Sequence, residues 1–215
     1  MLMGAVMLLA SASAAGATTV KMTDKQVSID VPDGWSYARN VTRGGVTHDL
    51  EIKGPADSSG NRPIADLDSG DWKNSSVSPS DMNHEMEREI ETEDGQHNHS
   101  VEIIQAPKNE TINGEHANEM TLKLTSGGVV EREKVVLVVS TKLHTSYTFR
   151  VTDLDTHYDA HSSDIQSMIS SIKTIPTKSG TLSSGAVTGL VIGVIAVAAI
   201  VGVGAAIILR RKTPR

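Results

Sequence analysis

Asp153, Asp155, His157, Asp159 and His161 stand at alternating positions, with Asp164 three residues beyond. Donors at positions 1, 3, 5, 7, 9 and 12 have the spacing of a calcium loop. The pattern departs from such a loop twice. Its sixth position is Tyr158, where the sharp turn calls for Gly, and its twelfth is Asp164, where a bidentate Glu is usual. His157 and His161 are also i, i+4, a helical spacing that can hold zinc, although no third ligand is evident beside them. The competing reading is structural: a helix N-terminus furnished with capping and dipole-favouring acids. His97-Asn98-His99, after Glu91, Glu93 and Asp94, is a second candidate metal loop or an ordinary solvated one. No cofactor is expected overall; calcium or zinc is what these residues would hold if they formed a site.

Other chemistry finds little support. His84-Glu85 lacks the second His of a zinc-protease helix. Nucleophile-elbow, phosphate-loop and dinucleotide-binding motifs are absent. The chain has no Cys, which excludes disulfides, thiolate metal sites and a Cys nucleophile. Nothing compels an enzymatic reading.

The elements that must position the acidic stretch can be read from periodicity. Gln26–Val31 alternates like a strand and stops at Pro32-Asp33-Gly34, a turn, with Trp35 directly after. Thr47–Lys53 is a second strand, and 55–61 a loop. Ser78-Pro79-Ser80-Asp81 opens a helix, with a capping hydroxyl, Pro in the first turn and an acid at the positive end of the dipole. Met82, Met86 and Ile90 make its apolar stripe, and it is expected to end near Asp94-Gly95. Strands are then expected at Ser100–Gln105, Ala117–Thr125, Val129–Ser140 and Tyr147–Thr152, the middle two joined by Gly127-Gly128. A last helix, capped by Asp155 or Thr156, runs from about His157 to Lys173 with Ile165, Met168, Ile169 and Ile172 inside. Short connections between consecutive strands imply an antiparallel meander. The expected class is α+β, an antiparallel β-sheet flanked by helices.

Both ends of the chain read as membrane-directed. Residues 1–17 run from an apolar stretch into small residues with A-x-A sites, as in a secretory signal, although no basic residues precede it; an uncleaved second membrane helix is the alternative. Residues 186–209 are uninterrupted by charge and would span roughly 36 Å as a helix, enough to cross a bilayer. Arg210, Arg211, Lys212 and Arg215 follow, so the positive-inside rule puts 210–215 in the cytoplasm. This predicts a single-pass cell-membrane protein: signal 1–17, extracytoplasmic domain 18–175, flexible stalk 176–185, transmembrane helix 186–209 and basic tail 210–215. Ile175-Pro176-Thr177-Lys178-Ser179-Gly180 also loosely echoes a sortase-type processing signal. Gly185, Gly189, Gly193, Ala198, Gly202 and Ala206 form a small-residue ridge on which two such helices could pack as a homodimer.

The formal charge is −6, and without the four basic tail residues the remainder carries about −10, which repels nucleic acid. Sequons begin at Asn40, Asn74, Asn98 and Asn109, all in stretches read as loops, and mark candidate glycosylation sites of a secreted glycoprotein.

Val31-Pro32-Asp33-Gly34-Trp35 near the start and Met168-Ile169-Ser170-Ser171-Ile172-Lys173 near the end resemble the two bookends of the PsbP-like family. That family groups the extrinsic photosystem II protein, a Ran-binding nuclear transport factor and DcrB-type lipoproteins. The chain resembles in particular its membrane-anchored archaeal members, over residues 20–175. The resemblance implies the family's α+β fold and a habit of binding other proteins, and it implies no reaction. The resulting expectation is a non-enzymatic, membrane-anchored surface protein whose domain binds or scaffolds other envelope proteins. Its strand edges and the loops around Trp35 and Trp72 are the first places to look, although such Trp residues are more often core than interface. The alternative is a metal- or small-ligand-binding subunit that uses the Asp153–Asp164 stretch.

Overall fold

The computed structural model describes residues 16–97 and 100–175. Residues 1–15 of the expected leader, Asn98, His99, the stalk, the 186–209 segment with its Gly/Ala ridge, and the basic tail lie outside the described residues. No described helix is long and apolar enough to cross a membrane.

Two antiparallel sheets and two helices make an α+β domain. β1 (Ala17–Met22), β2 (Val27–Pro32) and β10 (Lys173–Thr174) form a three-stranded sheet in the order β1-β2-β10. β3 (Ser36–Arg43), β4 (Val46–Lys53), β5 (Ile64–Asp71), β6 (Ser100–Ile112), β7 (Glu115–Ser126), β8 (Val129–Ser140) and β9 (Thr145–Leu154) form a seven-stranded sheet in the order β3-β4-β5-β9-β8-β7-β6. α1 (Pro79–His97) joins β5 to β6, and α2 (Asp155–Ser171) follows β9. Each face of the large sheet has its own core. On one, Leu50, Leu67, Val136, Phe149 and their neighbours pack with Ile29 of β2 and Ile165, Met168 and Ile169 of α2. On the other, Met82 and Met86 of α1 cover Met120, Leu122, Val135 and Leu137, with Trp72 at the margin. The uninterrupted apolar run of β8 follows from this: alternate residues are buried on opposite faces, so no position can be polar.

Local chemistry sets the element boundaries. Ser78 accepts a hydrogen bond from the Asp81 amide at 3.1 Å and donates its own amide to Asp81 Oδ2 at 3.2 Å, a reciprocal cap on α1. The Pro32-Asp33-Gly34 turn closes with Trp35 N–H donating to the Pro32 carbonyl at 3.2 Å, and it needs Gly34 at φ +81°.

The structure corrects the sequence reading at several places. β1, β3 and β5 were not expected, and β1 begins at Ala17, inside the span assigned to the leader. β6 extends through Pro107 to Ile112, well past the expected end at Gln105; Pro is tolerated because β6 is an edge strand, and register shifts flank the irregular stretch. α1 continues to His97, beyond Asp94-Gly95. α2 begins at Asp155 and has no side-chain cap: its N-cap is Leu154, and the Asp155 carboxylate is taken by Arg132. Asn40 and Asn109 lie on strands, where loops were expected, whereas Asn74 is in a loop.

Candidate functional site

The six residues of the acidic stretch are distributed among separate partners. Asp153 is the penultimate residue of β9, and its Oδ2 is 2.8 Å from His161 Nδ1 while Oδ1 accepts the Leu154 amide. Asp155 and Asp159 both hold Arg132, at 2.7 Å each, and the Arg132 guanidinium lies over the Tyr158 ring at 4.8 Å. His157 is 3.4 Å from Asp57 and ties α2 to the 55–61 loop. Asp57 also organises that loop, accepting the Ser59 and Asn61 amides. Asp164 accepts the Trp35 indole N–H at 2.9 Å. Asp155 and Asp159 go to Arg132, His157 to Asp57, Asp164 to Trp35, and Asp153 and His161 to each other, so the calcium-like alternation does not converge. Among the described residues no group of three or more His, Asp or Glu is placed to hold a metal ion. Trp35 and Trp72 are both buried and belong to the two cores rather than to exposed loops.

A different set of charges is brought together where sequence offered no motif. Glu51 of β4, Asp66 of β5 and Arg150 of β9 are directly opposed across three adjacent strands. Arg43, from the end of β3, donates to Glu51 Oε2 at 2.6 Å and to Asp66 Oδ2. Lys53 adds a second cation 2.6 Å from Glu51. His48 Nδ1 is 2.9 Å from Asp68 Oδ2, and this bond holds the imidazole pKa above its ordinary value despite burial. Burial raises the Asp66 pKa even though Arg43 and His48 oppose the shift. No signal in sequence marks this network, because Asp66 and Asp68 read as ordinary solvent-facing positions until the strand registers are known.

Beside the network lies a cleft of about 80 Å³ between the Gly60-Asn61-Arg62 turn and the ends of β5, β8 and β9. Glu131 lines it, and burial, reinforced by the charge of Asp153, pushes its carboxyl up to about 7. Between its ordinary value of 4.5 and about 7 the folded domain retains a proton that the unfolded chain releases. Stability therefore falls as pH rises through that window, and the loss is complete above 7. Asp66 and His48 add slopes of the same sign, His48 losing its contribution as pH rises through its raised pKa. Glu131→Gln is expected to flatten the decline and raise the urea midpoint at pH 8 relative to the parent protein. An unchanged midpoint at pH 8 would contradict the placement of Glu131. The cleft is too small for a typical ligand pocket of several hundred Å³, and the charged network at its wall is largely paired within itself.

The architecture matches known folds. The solution structure of the cyanobacterial PsbP protein CyanoP from Synechocystis superposes with a TM-score of 0.55 at 12% identity, covering 76% of this chain and 95% of that one. The fold is PsbP-like. Two further structures agree with this PsbP-like domain. LpqN of Mycobacterium tuberculosis, described as involved in cell envelope biogenesis, gives a TM-score of 0.51 at 16% identity over 75% of this chain and 91% of its own. The Ran-binding protein Mog1p of Saccharomyces cerevisiae gives 0.51 at 12% identity over 75% and 97%. No protein-family model matches the sequence, and no curated protein is significantly similar to it. These likenesses establish the shared PsbP-like fold. The family's fold, expected from the residues around Trp35 and Met168, is the one observed.

Proposed function

We propose that this is a non-enzymatic, membrane-anchored surface protein whose PsbP-like domain binds an extended segment of another envelope protein. The observation that carries the reading is the placement of exposed apolar side chains. Among the described residues the exposed large hydrophobics are Tyr37 on β3 and the adjacent pair Ile103 and Ile104 on β6, each about half exposed. β3 and β6 are the two edges of the seven-stranded sheet. An edge strand offers a row of open N–H and C=O groups, and apolar side chains beside it give a docking strand something to bury. The Ser100–Gln105 half of β6 combines both. Several further features support the reading: the paired state of the charged residues, the expected anchor at 186–209, and the same fold in a Ran-binding protein and in an envelope-biogenesis protein.

A photo-crosslinking residue at position 104 of the tagged full chain, activated on whole cells, tests the proposal. One envelope protein is expected to be captured reproducibly, and Ile103→Glu is expected to reduce the capture several-fold without changing the amount of protein at the surface. Capture of nothing above background at position 104, with abundant protein on the cell, rejects β6 as the docking edge.

A further inference from the structure

We propose that Asn40 and Asn109 carry N-linked glycans that close the two edges of the seven-stranded sheet against pairing with a second copy of the domain. The sequence shows four sequons without showing where they fall in the sheet. The structure puts one on each edge strand: Asn40-Val41-Thr42 on β3 and Asn109-Glu110-Thr111 on β6. Both Asn and both Thr are exposed. The same two strands carry Tyr37, Ile103 and Ile104, the exposed large hydrophobics of the described residues. An edge that is long, unpaired and apolar is the feature that invites edge-to-edge association, and natural proteins block it. β6 is 13 residues long. Copies of the domain held in one membrane plane would meet at high local concentration, so such edges need cover.

The local geometry suits the modification. Asn40 has φ +51°, and its pairing is skipped between Arg39↔Leu50 and Val41↔His48, so it stands out of the ladder. Asn tolerates that backbone conformation better than most residues, and Thr42, whose hydroxyl is 2.9 Å from that of Thr47 across the ladder, completes the sequon. On β6, Asn118 donates to Asn109 Oδ1 at 3.4 Å and leaves the Nδ2 nitrogen as the group to be modified. The donor class is an oligosaccharide on a lipid phosphate. The Asn Nδ2 bonds to the sugar C1, the C1–O bond to the phosphate breaks, Nδ2 gives up one proton, and the lipid phosphate leaves with the bonding electrons. Asn109 lies about 16 Å along the strand from Ile104 at ordinary strand rise, so its glycan is bulky enough to keep the rigid edge of a second domain away, while a single extended segment can still reach the Ser100–Gln105 half of β6. The inference stands whether or not a partner docks there.

The test uses the full chain, made in cells that N-glycosylate secreted proteins and kept in their membranes. Site-resolved glycopeptide mass spectrometry is expected to find sugar on both Asn40 and Asn109. Chemical crosslinking is then expected to give a several-fold higher dimer yield for the Thr42→Ala/Thr111→Ala double variant, which keeps both Asn in place. Enzymatic removal of glycans from the folded parent protein is expected to do the same without any substitution. Ser76→Ala, which removes the loop sequon at Asn74, is expected to leave the dimer yield at the parent level. The C-terminal segment is identical in all of these, so dimers formed through it contribute equally. An unmodified Asn40 or Asn109, an unchanged dimer yield after deglycosylation, or an equal rise with Ser76→Ala overturns the proposal.

Discussion

Arg43→Met is expected to destabilise the domain by about 3–5 kcal/mol, the cost of breaking a buried ion pair from one side. Glu51 and Asp66 are directly opposed on β4 and β5, and their side chains are only 3% and 7% exposed. Two carboxylates facing each other across a ladder repel, and burial removes the water that would screen them. Arg43 reaches both and turns the repulsion into a three-centre pair. Lys53 can compensate Glu51 alone. Removing the guanidinium leaves Asp66 with Arg150 opposite it on β9 and with His48, whose Nδ1 is 4.0 Å away and already bonded to Asp68, in place of the cation that bridges both carboxylates. The triple variant Arg43→Met/Glu51→Gln/Asp66→Asn is expected to recover most of the loss, since neutral groups carry no comparable desolvation cost. The exposed pair Lys108–Glu110 supplies the contrast: Lys108→Met is expected to leave the urea midpoint close to that of the parent protein. Urea unfolding at pH 7 measures all three, and equal effects for Arg43 and Lys108 would contradict the network.

Trp35→Ala is the second large effect, at about 3–5 kcal/mol. The indole is 8% exposed and joins parts of the chain that are distant in sequence. Its N–H donates to Asp164 on α2, its ring meets His161 edge-on at 6.1 Å between centroids, and its far edge lies against Gly54 at the end of β4. The contact with Gly54 is close: a Cβ there would come within 3.1 Å of the indole and 2.4 Å of Pro63. Trp35→Phe keeps most of the apolar volume and gives up the hydrogen bond, so its expected cost is smaller, about 1–2 kcal/mol. The order Ala worse than Phe, read from denaturant midpoints, separates this account from one in which Trp35 is a surface contact. If Trp35→Ala unfolds at the parent midpoint, the residue is not the clamp between turn, loop and α2 described here.

Much of the frame was legible before any coordinates. β2, β4, β7 and β8 alternate or run apolar because at least one face is buried, and α1 and α2 show their inner faces as Met and Ile at helical spacing. The strands that sequence missed share a physical cause. β3 is an edge with hardly any buried side chain, so burial imposes no alternation on it. β5 buries Asp66 and Asp68 where apolar residues would have signalled a strand, because partners from β3 and β4 neutralise them. The second half of β6 contains Pro107 and polar residues, which an edge tolerates.

Candidate chemistry divides in the same way. The alternating acids and histidines at 153–164 have metal-loop spacing, but spacing along a chain becomes a site only if the backbone curls around a centre. Here Asp153 lies at the end of β9 and the residues from Asp155 form a helix, so the donors point to Arg132, Asp57, His161 and Trp35. The sequence by itself determined the α+β class, the presence and inner faces of the two long helices and the absence of thiol chemistry, because these follow from residue types and their local period. Only the tertiary structure decided which charges meet and that sequons and exposed apolar side chains share the sheet edges. Those are properties of strand order and register, and strand order joins residues that no local pattern connects.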